Sequence, residues 1–227
     1  MLKIILQYLY IDIILIMSLL SKLLHYVLLT TQKYKIDESH GLGHSMNVLQ
    51  YANKIYQQEV LTSPYLKQHE KLIYVAAILH DMCDKKYVDE KNGIKEIEEF
   101  LQDENKLTAA EIDISKTIMA TMSYSKVKVN GFPNLGVYQK AYHIVREADL
   151  LTAYDFDRCM IYQMNKNGGD VLDAYENAKS LFEVRVLKHN DDRLLLLDYS
   201  KIESVHLHKM SLQRMASWNK LLKKPIN

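Results

Sequence analysis

LIYVAAILHD, residues 72–81, is a run of eight apolar side chains that ends on an adjacent histidine and aspartate. A helix on a protein surface shows one apolar stripe, whereas a helix apolar on every side has to be enclosed by others. The segment from about Tyr65 to Met82, which follows Ser63-Pro64, is therefore expected to be the central helix of the molecule. The pair that closes the apolar run, His80-Asp81, then lies where packing calls for carbon. An ionised carboxylate in such a place is costly unless something pairs with it.

Outward from this helix the chain reads as helix after helix. One is expected from about His44 to Val60 and a short charged one from Lys95 to Gln102. Thr108-Ala-Ala-Glu111 has the form of a capping box and opens another that runs to about Met122. The stretch SYSKVKVNGFPNLG, residues 123–136, breaks the helical period. Its Asn130-Gly131 suggests a turn or a short hairpin, a place for a lid. A long pattern from Tyr138 to about Asn165, bent near Tyr154–Asp157, ends at Asn167-Gly168-Gly169. Helices over about 170–188 and 200–222 complete the chain. Only 7 Gly and 3 Pro occur in 227 residues, which leaves room for few turns. The expectation is one all-α domain.

The first 29 residues are strongly apolar but are interrupted by Lys3, Asp12 and Lys22. The longest uncharged runs there, Ile13–Ser21 and Leu23–Gln32, fall short of the ~18 residues a spanning helix wants. No small-residue cleavage site marks a signal peptide. From Met17 onward Leu19, Leu20, Leu23, Leu24, Val27 and Leu28 recur at helical spacing, the mark of a packing helix. Residues 1–16 are thus expected to be an appendage and residues 17–227 the domain, with a membrane tether through residues 1–16 as the alternative. Twenty-nine basic against 28 acidic side chains leave a net charge of +1, so bulk nucleic-acid binding is not expected. Cys83 and Cys159 lie far apart, and Cys83 sits in an apolar stretch, which suits a reducing, cytoplasmic setting.

Three places put polar groups on faces that should be apolar. His44 shares a face with Val48, Ala52 and Ile55, and Asp149 shares one with Ala141, Tyr142, Val145 and Thr152. His80-Asp81 is the third. Taken singly, each is ordinarily a cap or a satisfied core group. Together, two imidazoles and two carboxylates at the ends of core helices would neutralise one divalent ion, Mn, Fe, Co, Ni, Zn or Mg. Positions left open on that ion for water or substrate oxygen would point to catalysis.

These residues stand in motifs that resemble the HD superfamily of metal-dependent phosphohydrolases. The likeness runs over roughly residues 20–215, through DESHGLGHSMNV (37–48), AAILHDMCDKK (76–86) and IVREADLLTAYD (144–155). It implies an all-helical HD-domain bundle with a mononuclear metal site in its core, held by His44, His80, Asp81 and Asp149. HDMCDKK is similar to the HDxxDxK form of HD nucleoside-triphosphate pyrophosphohydrolases. There Asp84 would assist the attacking water or the leaving group, and Lys86 would bind phosphate. Two positions depart from the pattern, Asn47 and Leu150, where many relatives carry Arg, so anion contacts must come from elsewhere. Only His143 lies between the His-Asp pair and Asp149, which disfavours a two-metal site. His40, beside Gly41 and Gly43, is a further substrate-contact candidate, as are Arg158 and Lys126. The expected activity is hydrolysis of a phosphate ester or anhydride in a small nucleotide-like substrate, with triphosphate pyrophosphohydrolysis as one form. The alternatives are a 5'-nucleotidase-type monophosphatase and a nucleotide-binding sensor without turnover.

Overall fold

The structure, a computed structural model, describes residues 19–223. The appendage over residues 1–16 and the domain start at Met17 lie outside the described residues. The described part of α1 covers residues 19–34. It is followed by α2 (Leu42–Thr62), α3 (Glu70–Leu79), α4 (Glu90–Glu104), α5 (Ala109–Thr121), α6 (Tyr124–Asn130) and α7 (Gln139–Thr152). Then come α8 (Phe156–Lys166), α9 (Val171–Val184) and α10 (Asp198–Leu222). Short 3-10 turns join several of them, and no strand occurs among the described residues. The fold is all-α.

Every side chain from Leu72 to Leu79 is buried, as an all-apolar helix requires. Helix α3 divides the core. Ile73, Ala76 and Ala77 pack with Val48 and Ile55 of α2 and Tyr142 and Val145 of α7. Val75, Ile78 and Leu79 pack with Leu23 and Val27 of α1, Ile97 of α4 and Ile112 of α5. Full burial of one such aliphatic side chain contributes about 1.5–3 kcal/mol, so this helix anchors both halves. A third cluster, around Phe156, Tyr175, Phe182 and Met215, joins α8, α9 and α10.

Several elements differ from expectation. The central helix is shorter at both ends: Pro64–His69 is a 3-10 turn with Pro64 at its start, and the α-helix stops at Leu79, so His80 to Cys83 lie in turns. Residues 123–136 form no hairpin; Tyr124–Asn130 is the short helix α6, ended by Gly131 at φ 72°. The long pattern after Tyr138 is two helices, separated at Ala153–Asp155, where Asp155 turns its carboxylate to the Arg158 amide and caps α8. The capping box at Thr108 and Glu111 is present. Helix α4 begins five residues earlier than expected, with the Asp89 carboxylate accepting from the Asn92 amide at 3.0 Å. No described helix is long and apolar enough to cross a membrane.

Candidate metal centre

Three helices bring the polar intrusions together. His44 stands in the first turn of α2, His80 and Asp81 follow the last turn of α3, and Asp149 lies near the end of α7. The His44 and His80 Nε2 atoms face each other at 3.1 Å. Asp81 Oδ2 lies 3.1 Å from His44 Nε2 and 3.3 Å from His80 Nε2. Asp149 Oδ1 is slightly farther, at 3.5 and 3.7 Å from the same nitrogens. Both imidazoles are almost wholly enclosed, whereas the Asp149 side chain keeps 26% of its exposure and so opens the cluster to a cavity. The tightest trio, His44, His80 and Asp81, has its ligand atoms within 4.8 Å of one another, and Asp149 closes it from the open side.

The rings are held by different partners. The His80 Nδ1–H donates to the Ala77 carbonyl at 2.9 Å, which aims Nε2 at the cluster. His44 Nδ1 sits 2.7 Å from Arg158 Nη1, which also donates to the Ser39 carbonyl at 2.9 Å. A guanidinium can only donate, so His44 Nδ1 accepts and the proton of the neutral ring sits on Nε2, inside the cluster. Burial works against charge on His80, yet the carboxylates of Asp81 and Asp149 override it and raise the imidazole to about 9. Burial likewise opposes ionisation of Asp81 and Asp149, but the His80 charge and hydrogen bonds from the histidines hold both carboxyls well below the usual range. The pocket is thus built to hold positive charge between two acids and two ring nitrogens. That donor set fits a divalent ion of borderline hardness.

The cavity beside the cluster has a volume of about 160 Å³. His40, Asp84, Lys86 and Arg158 all line it, together with Tyr124, Tyr162 and Arg185. Asp84 does not continue a helix. It follows the turn after Asp81, accepting from the Lys86 amide at 2.9 Å and pairing with Lys86 Nζ at 3.1 Å. Lys86 Nζ also reaches His40 Nε2 at 3.2 Å. The other His40 nitrogen lies 2.7 Å from the Ser39 hydroxyl and 3.0 Å from Tyr87 Oη. Tyr87 donates in turn to Asp37, whose carboxyl is held well below its usual range, although burial opposes this, by the nearby His40 and by hydrogen bonds from Ser39 and Tyr87. The first motif and the stretch after the His-Asp pair are therefore one hydrogen-bonded unit.

Lys126 is not part of it. Its ammonium pairs with Glu90 and donates to the Ala120 carbonyl at 2.7 Å, so it ties α6 to α4 rather than lining the cavity. Arg158 turns inward because the acids near it are engaged: Asp155 caps α8, and Asp157 takes both Arg214 and Trp218 of α10. Leu150 is buried with Val127, Leu194 and Leu195, while Asn47 lines a different groove of about 600 Å³ between α2, the α7–α8 junction and α10. That groove is the larger one, but it meets the cavity only through Asp155 and Arg158 and holds none of the four cluster residues. Cys83 is a core thiol whose pKa burial raises to about 12, which leaves it inert. The sequence reading missed Arg185, Tyr124 and Tyr162. An Arg near the end of a surface-facing helix is too common to stand out, and the aromatics fall on ordinary helical stripes.

Comparison with known proteins adds the fold alone. A crystal structure of a Lactobacillus plantarum protein, solved as a structural-genomics target, superposes with a TM-score of 0.62. It matches 89% of this chain and 98% of its own, at 19% identity. No family model and no curated protein matches the chain.

Proposed function

We propose that the chain is a metal-dependent phosphohydrolase of the HD type, acting on a phosphate ester or anhydride in a small nucleotide-like substrate. The observation that carries this reading is the meeting of His44, His80, Asp81 and Asp149 at one edge of a cavity whose other walls carry Lys86, His40 and Arg158. A bound divalent ion would supply a water of lowered pKa and a Lewis acid for a phosphoryl oxygen. The four residues would hold that ion. Asp84, 3.1 Å from Lys86 and lining the cavity, would take the proton of the attacking water and return it to the leaving oxygen. Water oxygen bonds to phosphorus as the bond to the leaving oxygen breaks, so the proton balance closes on Asp84. Lys86 and His40 would hold non-bridging oxygens of the substrate.

The HDMCDKK stretch favours triphosphate pyrophosphohydrolysis among these reactions. The test is a screen of nucleoside mono-, di- and triphosphates, a dinucleotide and a generic phosphate ester with Mn, Ni, Co and Mg, with released phosphate and pyrophosphate measured separately. Pyrophosphate from a triphosphate is expected. Orthophosphate from every active nucleotide would move the assignment to a nucleotidase, and binding without release under any metal would make the protein a sensor.

A further inference from the structure

Arg185, at the end of α9, is a cation with no hydrogen-bonded counterpart among the described residues, although the Asp149 charge acts on it. Its guanidinium makes no ion pair or side-chain hydrogen bond among the described residues, and its Nε is buried with no partner at all. It lies 4.2 Å over the Tyr124 ring and lines the same cavity as Asp149. Burial already works against its charge. Buried polar atoms in folded proteins are ordinarily bonded, so a half-buried guanidinium with an unbonded Nε facing a cavity calls for an acceptor from outside. Arg158, on the same cavity, is bonded only to two uncharged acceptors, the Ser39 carbonyl and His44 Nδ1. Lys86, by contrast, already has Asp84.

The charge count sets the order of events. Four aspartates line the cavity against three permanent cations, Lys86, Arg158 and Arg185. The walls therefore offer an anion no net positive charge. One divalent ion in the cluster makes the balance positive.

From this we infer that Arg185, with Arg158, forms a second anion position beside the metal cluster, so that the cavity takes two adjacent phosphoryl groups and accepts them only after the metal. The inference rests on the phosphohydrolase reading and narrows it to anhydrides: one phosphoryl group at the cluster, the next on the guanidinium forks, which match its oxygens two at a time. Tyr124 under Arg185 holds the fork in place and makes the position specific to a planar cation.

The test uses the whole chain, with metal content measured before and after each titration. Imidodiphosphate, a diphosphate that resists hydrolysis, and orthophosphate are titrated by calorimetry into manganese-loaded and metal-free protein. Loaded wild type is expected to prefer imidodiphosphate by about tenfold or more, and metal-free protein to bind neither at comparable strength. Arg185→Gln should lose that preference while still holding its metal, which also reports that it is folded; Arg185→Lys, which keeps the charge without the fork, should fall between. Undiminished imidodiphosphate binding by metal-loaded Arg185→Gln would overturn the second anion position and leave the metal centre standing. Equal binding by metal-free wild type would overturn the order of loading. A wild-type chain that takes up no metal would overturn the centre itself and this proposal with it.

Discussion

Removing His80 takes away one of the two ring nitrogens that face each other at 3.1 Å, and removing Asp149 takes away the carboxylate on the open side. His80→Ala and Asp149→Ala are each expected to lower bound metal from about one ion per chain to a small fraction of that, read by elemental analysis after desalting. Full occupancy in both variants would contradict the assignment. A second residue makes a pH prediction. His189 is wholly buried, neither ring nitrogen has a partner among the described residues, and burial with the nearby Arg185 charge lowers it to about 3. Its folded pKa lies below the unfolded value of 6.5, so the unfolded chain binds the extra proton. Stability from this residue is complete above the unfolded value and is lost as pH falls from there toward 3. Between pH 7 and 5 the loss is about 2 kcal/mol, and urea midpoints of His189→Phe should show that much less acid sensitivity than wild type. At this scale the sequence was informative where a residue broke a pattern. His44 shows on a face otherwise made of Val48, Ala52 and Ile55, all buried. Arg185 breaks no pattern, because its role comes from what is missing around it, and a missing partner leaves no mark along a chain.

Elements carry the site through their crossings. Helix α4 passes so close to the turn after His80-Asp81 that a Cβ on Gly93 would meet Cys83 Cα at 2.9 Å and Val88 Cγ1 at 3.2 Å. Alanine normally gains up to about 1 kcal/mol over glycine in a helix. Here the obstacle is backbone, and overpacking of this kind costs about 1–3 kcal/mol. Gly93→Ala is expected to be net destabilising in urea titration and to weaken metal retention, because the turn that must shift carries Asp81. A gain in stability with metal retention intact would show that α4 slides freely over that turn. The helix termini explain which element boundaries could be read in advance. Thr108 and Glu111 advertise a start through chemistry local to the chain, and the structure has the box. The stop at Leu79 sets His80 against His44, far along the chain, and the break at Ala153–Asp155 is made by the Asp155 cap on the Arg158 amide, so apolar period alone extends both helices too far. Residues 123–136 misled in the opposite sense: Asn130-Gly131 is a hairpin signal, but with no strand beside it the segment closes one short helix instead.

At the scale of the whole molecule the four cluster residues tie α2, α3 and α7 together, and Glu147 adds a further tie. Fully buried, paired with Arg146 at 2.9 Å, it accepts from the Leu196 and Leu197 amides at 2.9 and 3.1 Å and holds the entry to α10 against α7. A metal bound by folded chain and not by unfolded chain stabilises the fold by mass action. At a hundredfold excess over the dissociation constant this is about 2.7 kcal/mol, or roughly 5–10 °C in Tm for a chain of this size. Melting curves with and without manganese should show that rise in wild type and little of it in Asp149→Asn. The two rings of the cluster differ in one further respect. The backbone fixes the His80 tautomer, whereas the His44 tautomer depends on a side chain of α8. An arriving ion finds one ring aimed and one latched: His80 has only to give up its Nε2 proton, whereas His44 can offer its Nε2 lone pair only when Arg158 lets go of Nδ1. Residence time and loading rate, rather than affinity alone, are then under the control of α8. Arg158→Ala should take up metal faster in stopped-flow competition with a coloured chelator, and release it faster as well.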